Sequence, residues 1–283
     1  MSSSNPPKTA VQHFNQTAAA YEASTGGCTR ELARHVVGLL PNLDDNSVVL
    51  DNACGTGIAA EELLHHMATR NVKPATLHLV DAAPGMVAIA RDKFEGQQPN
   101  LNIHCATMPA ERLDFPDKTF THSITNLGIL FFTDADQGAK EIFRTLKPGG
   151  TAVVTSWQDL GYLPLLHQAQ QTVRPDAPLI NLPIKDVWFR PEHVREVLER
   201  AGFGEVEVSA ARVHYAGERA RDVSSLLNTQ TKSSLQDWSE DELGRFEDAL
   251  DELIEAAAEK FEKPDGSAAM GIPMVAIVAV CRK

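Results

Sequence analysis

Basic residues are in short supply: 26 Lys and Arg stand against 38 Asp and Glu, a formal charge of −12. No run of them offers a stripe that would track a phosphate backbone, so nucleic acid and anionic membrane surfaces are poor partners. Cysteine is sparse too. Cys28, Cys54, Cys105 and Cys281 are scattered without CxxC or Cys/His spacing, which argues against a zinc site and fits a reducing compartment. The ten histidines are as dispersed, with His65-His66 the sole adjacent pair, and neighbours on a helix point to different faces. No metal site is expected. Long apolar runs are missing as well: the longest, Met274 to Cys281, falls short of the roughly 20 residues a spanning helix needs. The opening Met-Ser-Ser-Ser-Asn-Pro-Pro lacks the basic and apolar regions of a secretory signal. A cytoplasmic monomer or homodimer is expected.

What is present is alternation. From Ser47 onward, strand-like apolar runs at 48–50, 77–80, 102–106, 122–127 and 151–157 are separated by helical patterns. This predicts βαβ units and a mainly parallel α/β sheet with helices on both faces. Ala59, Leu63 and Met67 fall four apart after the first strand, a buried helical stripe. Lys147-Pro-Gly-Gly is expected to stop a later helix. Residues 1–46 read as a helical lid broken at Gly26-Gly27, 47–157 as the core, and 158–187 and 216–270 as insertions forming a substrate cap, all within one domain. Pro191 suits the first turn of a helix and Gly202 its C-terminal cap. Residues 205–215 alternate like a half-exposed strand, and 271–281 read as a buried one. Ser239-Glu-Asp-Glu242 has the form of a capping box, opening a helix whose apolar spacing, Leu243, Phe246, Leu250, Leu253, Ala257 and Phe261, carries it to about 262.

The stretch "VVLDNACGTGIAAEELL", residues 48–64, places a carboxylate ahead of a Gly-x-Gly turn. Gly55-x-Gly57-x-x-Ala60 satisfies the dinucleotide fingerprint, and Asp81 ends the second strand where a ribose-binding acid belongs. Asp51 discriminates. A pyrophosphate at that turn would be repelled by it, whereas the ammonium and sulfonium of S-adenosylmethionine (SAM) would be attracted. SAM is therefore preferred, with a nicotinamide-dependent oxidoreductase kept as the alternative.

With "VLDNACGTG", "LVDAAPGMV", "ERLDFPDKTFTHSIT" and "RTLKPGG" on the page, the chain resembles the class I SAM-dependent methyltransferases over about residues 47–157, in their fungal secondary-metabolite branch. The resemblance implies a Rossmann-like sheet with SAM as cofactor and S-adenosylhomocysteine (SAH) as product. It implies contacts to the methionyl part from Asp51, Ala53, Gly55 and Gly57, ribose binding by Asp81, and adenine packing by Ala82 and Met86, although Met86 equally suits core packing. Many relatives place an acid ahead of the Ala-x-x-Leu stretch; here Thr107-Met108-Pro109-Ala110 stands there, so adenine falls to Met108 and the Ala110 backbone. Asn126 and Leu127, followed by Gly128, lie where donor and acceptor meet. The lid stretch resembles the segment that covers SAM in related enzymes, with Tyr21 on the methionyl carboxylate and Phe14 walling the pocket; helix packing is the competing role for both.

Methyl transfer from a sulfonium needs alignment and exclusion of water, plus a base where the acceptor is a hydroxyl or a protonated amine. No dedicated base stands out. His122, His65, His66 and His78 sit away from the expected site; His13 in the lid and His167 after the fifth strand are within reach of the acceptor, with surface or packing roles as the competing reading. A thiol needs little help. Phe131, Phe132, Trp157 and Tyr162 add aromatic surface for an apolar, ring-bearing small-molecule acceptor. The resemblance therefore leads to S-methylation of a fungal metabolite thiol, such as a reduced epidithiodiketopiperazine of the gliotoxin type. An O- or N-methyltransferase and a catalytically silent SAM-binding regulator remain alternatives.

Overall fold

The structure, a computed structural model, describes residues 9–72, 76–95 and 102–283; the first eight residues of the expected lid lie outside them. The chain begins with three short helices, α1 (Ala10–Thr17), α2 (Tyr21–Ser24) and α3 (Cys28–Gly38). Alternating elements follow: β1 (Val48–Asn52), α4 (Ile58–Thr69), β2 (Thr76–Asp81), α5 (Pro84–Phe94), β3 (Ile103–Thr107), β4 (Phe120–Thr125), α6 (Ala135–Thr145) and β5 (Leu146–Asp159). Then come α7 (Leu163–Val173), α8 (Pro191–Ala201), β6 (Glu205–Gly217), α9 (Ala220–Thr231), α10 (Glu240–Ala257), β7 (Glu259–Glu262) and β8 (Ala268–Arg282).

The sheet runs β3-β2-β1-β4-β5-β8-β6. Its first five strands are parallel, and β8 lies antiparallel between β5 and β6. β7 pairs with the start of β8, Phe261 opposite Ala269, on the edge that β5 leaves uncovered. The strand order reverses between β1 and β4, and in sheets of this kind the crevice outside that reversal is where ligands bind. The apolar runs that mark the strands are the core: Val49, Leu50, Leu79, Ile124, Val153 and Val154 are all buried. The expected stripe of α4 is buried at Ala59, Leu63 and Met67.

Gly57 caps α4 from the left-handed region, at φ +85°, and a Cβ there would stand 2.6 Å from Phe94 Cε2. Gly57→Ala combines backbone strain with a clash in a packed core and is expected to lower stability by about 1–3 kcal/mol. A urea unfolding midpoint unchanged from wild type would contradict this.

Three expectations shift. The helix expected to reach about 262 ends at Ala257, and Phe261 lies on β7, its ring stacked 4.0 Å from that of His214. A four-residue spacing also puts residues on one face of a strand, so Phe261 satisfied the helical pattern without belonging to it. Lys147-Pro-Gly-Gly stops α6 at Thr145 but lies inside β5, where the register shifts between Phe120 and His122 on the neighbouring strand. The segments 158–187 and 216–270 pack chiefly on themselves and on the antiparallel strands, α10 against α7 and α9, and α9 against β6. Arg174, capping α7, ties α10 at Glu242 (2.7 Å) and its approach at Asp237 (2.9 Å). The capping box, the Gly202 cap and Pro191 in the first turn of α8 are as expected. No helix of the described residues is long and apolar enough to cross a membrane.

Candidate active site

A cleft with about 780 Å3 of open space lies at the carboxyl ends of β1 and β4. The first wall is the β1–α4 turn with Asn52, Ala53 and Gly55. The second is the end of β2 and the start of α5, with Asp81, Ala82 and Met86; the loop after β3 adds Met108, Pro109 and Ala110. Asn126, Leu127 and Gly128 line it after β4, and Phe131 and Phe132 close its far side. From α1 and α2 come Phe14 and Tyr21. A smaller recess of about 280 Å3 opens beside it, holding Asp51 and Thr29, and shares Tyr21, Ala53, Gly55 and Asn126 with the cleft.

Most of the residues singled out from sequence therefore meet at the cleft and Asp51 at the recess; Gly57, Thr107, Trp157 and Tyr162 do not. Gly57 faces Phe94 and Leu79. Thr107, at the end of β3, is exposed although it shares the strand face of the buried Ile103 and Cys105. Trp157 and Tyr162 are buried in the main core, Tyr162 with its ring 5.1 Å from that of Tyr215. Among the described residues, 158–187 and 216–270 supply no lining residue, and the cover comes from α1 and α2. Sequence reasoning passed over Val11, Asn52 and Glu111. The amphipathic pattern of α1 was the available signal for Val11. Asn52 follows Asp51 and so faces the opposite side of the sheet; its Oδ1 and Nδ2 have no protein partner.

The turns are held by side chains. Asp81 Oδ2 accepts from Gly55 N (2.9 Å) and Oδ1 from Ala83 N (2.8 Å), so one carboxylate binds both loops of the cleft. Glu111 Oε1 accepts from Thr133 N (2.6 Å) and Asp134 N, joining the loop after β3 to the approach of α6. Ala53 and Leu127 are non-glycine residues in the left-handed region, at φ +55° and +56°. Gly128 passes so close that a Cβ would lie 2.5 Å from that of Ala53. Glu22, beside Tyr21 on α2, pairs with Arg30 and with Lys93 at 3.3 Å, fastening the cover to α3 and α5.

Asp51 is 2% exposed and its Oδ2 lacks a partner. Burial, reinforced by the charge of Asp81, pushes its ionisation up to about 7, against the pull of the Ala60 N–H. Burial raises Asp81 also. A cation placed between them would relieve both, the arrangement expected for an ammonium-bearing ligand. Tyr21 is pushed up to about 12, chiefly by burial. His122 is held by Pro41 O (2.7 Å) and Thr121, and burial lowers its basicity. His167 bonds Ile180 O at 2.8 Å, away from the cleft, while His13 on α1 meets Phe14 edge-on. All four cysteines are buried and free, and no cluster of three or more metal-ligating side chains occurs among the described residues.

Residues 49–150 match the family model described as a methyltransferase domain. The chain is 25% identical to the methyltransferase tpcH of Aspergillus fumigatus, across 83% of this chain and 84% of that one. It is 34% identical to the ubiquinone/menaquinone biosynthesis C-methyltransferase UbiE of Neisseria meningitidis, across 59% of this chain and 70% of that protein. Among solved structures, the phosphoethanolamine N-methyltransferase 2 of Haemonchus contortus, solved with SAH, shares the fold with a TM-score of 0.54 at 16% identity, covering 99% of this chain and 62% of that one. These relatives decide between the two readings of the Gly-x-Gly turn in favour of SAM over a nicotinamide dinucleotide, and they make the chain an enzyme rather than a silent binder. Its cleft, its paired carboxylates and its sequence kinship agree: this chain belongs to the class I SAM-dependent methyltransferases.

Proposed function

We propose that the chain transfers a methyl group from SAM to a thiol of an uncharged, ring-bearing small molecule, of the kind a reduced epidithiodiketopiperazine presents. The observation that carries this reading is the chemistry of the wall: Phe14, Phe131 and Phe132 are apolar, the described lining residues include no His, Lys, Arg or Cys, and the two carboxylates among them, Asp81 and Glu111, are each engaged by two backbone N–H groups. The one phenol among them, Tyr21, is pushed up to about 12 and is no base near neutral pH. An acceptor that ionises by itself suits such a cleft, and a thiol, with a pKa near 8.5, does so.

In this reading Asp51 holds the methionyl ammonium, Asp81 takes the ribose hydroxyls on its remaining lone pairs, and Ala82, Met86, Met108 and Ala110 pack on adenine. Bound SAM supplies an activated methyl group and SAH as the leaving group. Asn126 and Leu127 border the place where donor and acceptor align, and the aromatic wall with α1 excludes water. The same aromatic wall suits an electron-rich ring carbon, and the Neisseria relative is by name a C-methyltransferase.

The test incubates the protein with SAM and, separately, a small dithiol, a phenol and an amine, and reads products by mass spectrometry. Methyl thioethers are expected, with rates rising alongside the thiolate fraction. Robust methylation of the phenol or amine with no transfer to the dithiol would overturn the thiol assignment.

A further inference from the structure

Thr155 lies on β5, fully buried and outside the cleft. Its Oγ1 accepts a hydrogen bond from Leu127 N (2.8 Å) and donates to Asn126 Oδ1 (3.0 Å). A hydroxyl has a single hydrogen. Since the Leu127 N–H occupies a lone pair, that hydrogen goes to Asn126, which fixes its carbonyl toward β5 and its amide nitrogen toward Thr29 O, 3.2 Å away on α3. The opposite rotamer would set two carbonyl oxygens against each other and leave the hydroxyl hydrogen without an acceptor. The same contact holds Leu127 in the left-handed region, at φ +56°, a conformation a leucine adopts only when its surroundings enforce it.

We propose that Thr155 is the positioning residue of the methyl-transfer site: one hydroxyl sets both the orientation of Asn126 and the strained turn at Leu127 before any ligand enters. The inference rests on the placement of SAM given above. Asn126 borders the recess with Asp51 and the cleft with Asp81 alike, so the sulfonium that joins the methionyl and adenosyl halves lies beside it. Preorganisation of this kind lowers the cost of binding and of alignment.

The experiment compares Thr155→Val, the same shape without the hydroxyl, with Thr155→Ser, which keeps it. SAH affinity is read by calorimetry, folding by melting temperature, and the reacting group by the NMR signal of bound SAM carrying a 13C-labelled methyl. Thr155→Val is expected to weaken SAH about tenfold and to displace the methyl resonance, and Thr155→Ser to restore both. A melting temperature that falls while affinity and resonance stay at wild type, or a defect that serine fails to rescue, would overturn the proposal. Hydrogen exchange of the unsubstituted protein gives a second test: the Leu127 amide is protected without ligand, and exchange that slows only on adding SAH would overturn the preformed turn. No SAH binding by the wild type would instead refute the SAM placement, so the two failures are distinguishable.

Discussion

Asp51→Asn is expected to make the ligand-free protein more stable above pH 7 and to weaken SAH binding at that pH by about 100-fold. In the folded chain burial pushes Asp51 up to about 7 from its ordinary value of 3.8. Between those values the unfolded chain has already lost the proton that the folded one keeps, so stability falls as pH rises through the window. Above pH 7 the cost is complete, on the order of 4 kcal/mol. Asparagine keeps the shape and never ionises, so the two proteins should melt alike near pH 4 and diverge toward pH 8, the variant higher by about 5 °C or more. Binding has the opposite sign. A cation beside Asp51 favours the carboxylate, so wild-type affinity should climb with pH, by up to about tenfold per unit, until it levels near 7, while the variant's stays flat. Calorimetry in buffers of different ionisation enthalpy would register proton release below pH 7 for the wild type alone. Equal melting temperatures at pH 8, or a flat wild-type profile, would refute the assignment.

Asp81→Ala is expected to lower SAH affinity more than about 100-fold and also to cost stability. The two backbone amides that Asp81 caps, those of Gly55 and Ala83, would both lose a charged acceptor, each contact being worth about 1.5–3 kcal/mol. The loss divides between the fold and the ligand, and the chain should still unfold cooperatively. A linked readout checks the pairing of the acids: removing the Asp81 charge should shift the titration of Asp51 downward. An Asp51 titration that does not move would mean burial alone sets it.

The central strands and both carboxylates were legible because parallel strands buried on two faces read as unbroken apolar runs, against which an acid at the end of the run stands out. Asp51 and Asp81 meet that description. Thr155, by contrast, reads as one more β-branched residue in a strand, and only the three-dimensional register places its hydroxyl under Asn126. Trp157 and Tyr162 read as ligand-facing aromatics because they lie at and just beyond the carboxyl end of the fifth parallel strand. That inference assumed β5 ended near 157, whereas β5 continues to Asp159 against β8, and Trp157 pairs opposite Ala276 inside the sheet. Gly57 belongs to a motif whose glycines look alike, yet Gly55 lines the cleft and Gly57 answers to Phe94.

The antiparallel strand between β5 and β6 also sets an order of events during synthesis. The five parallel strands, with their helices, are complete once the chain has passed Asp159. β6, at the end of the sheet, has one strand neighbour, β8, made some fifty residues later, and for that interval the backbone edge that β8 covers is open to other chains. A nascent chain stalled within α9 or α10 would thus carry a finished SAM-binding half beside an adhesive strand, so chaperone demand should be concentrated in the last quarter of translation.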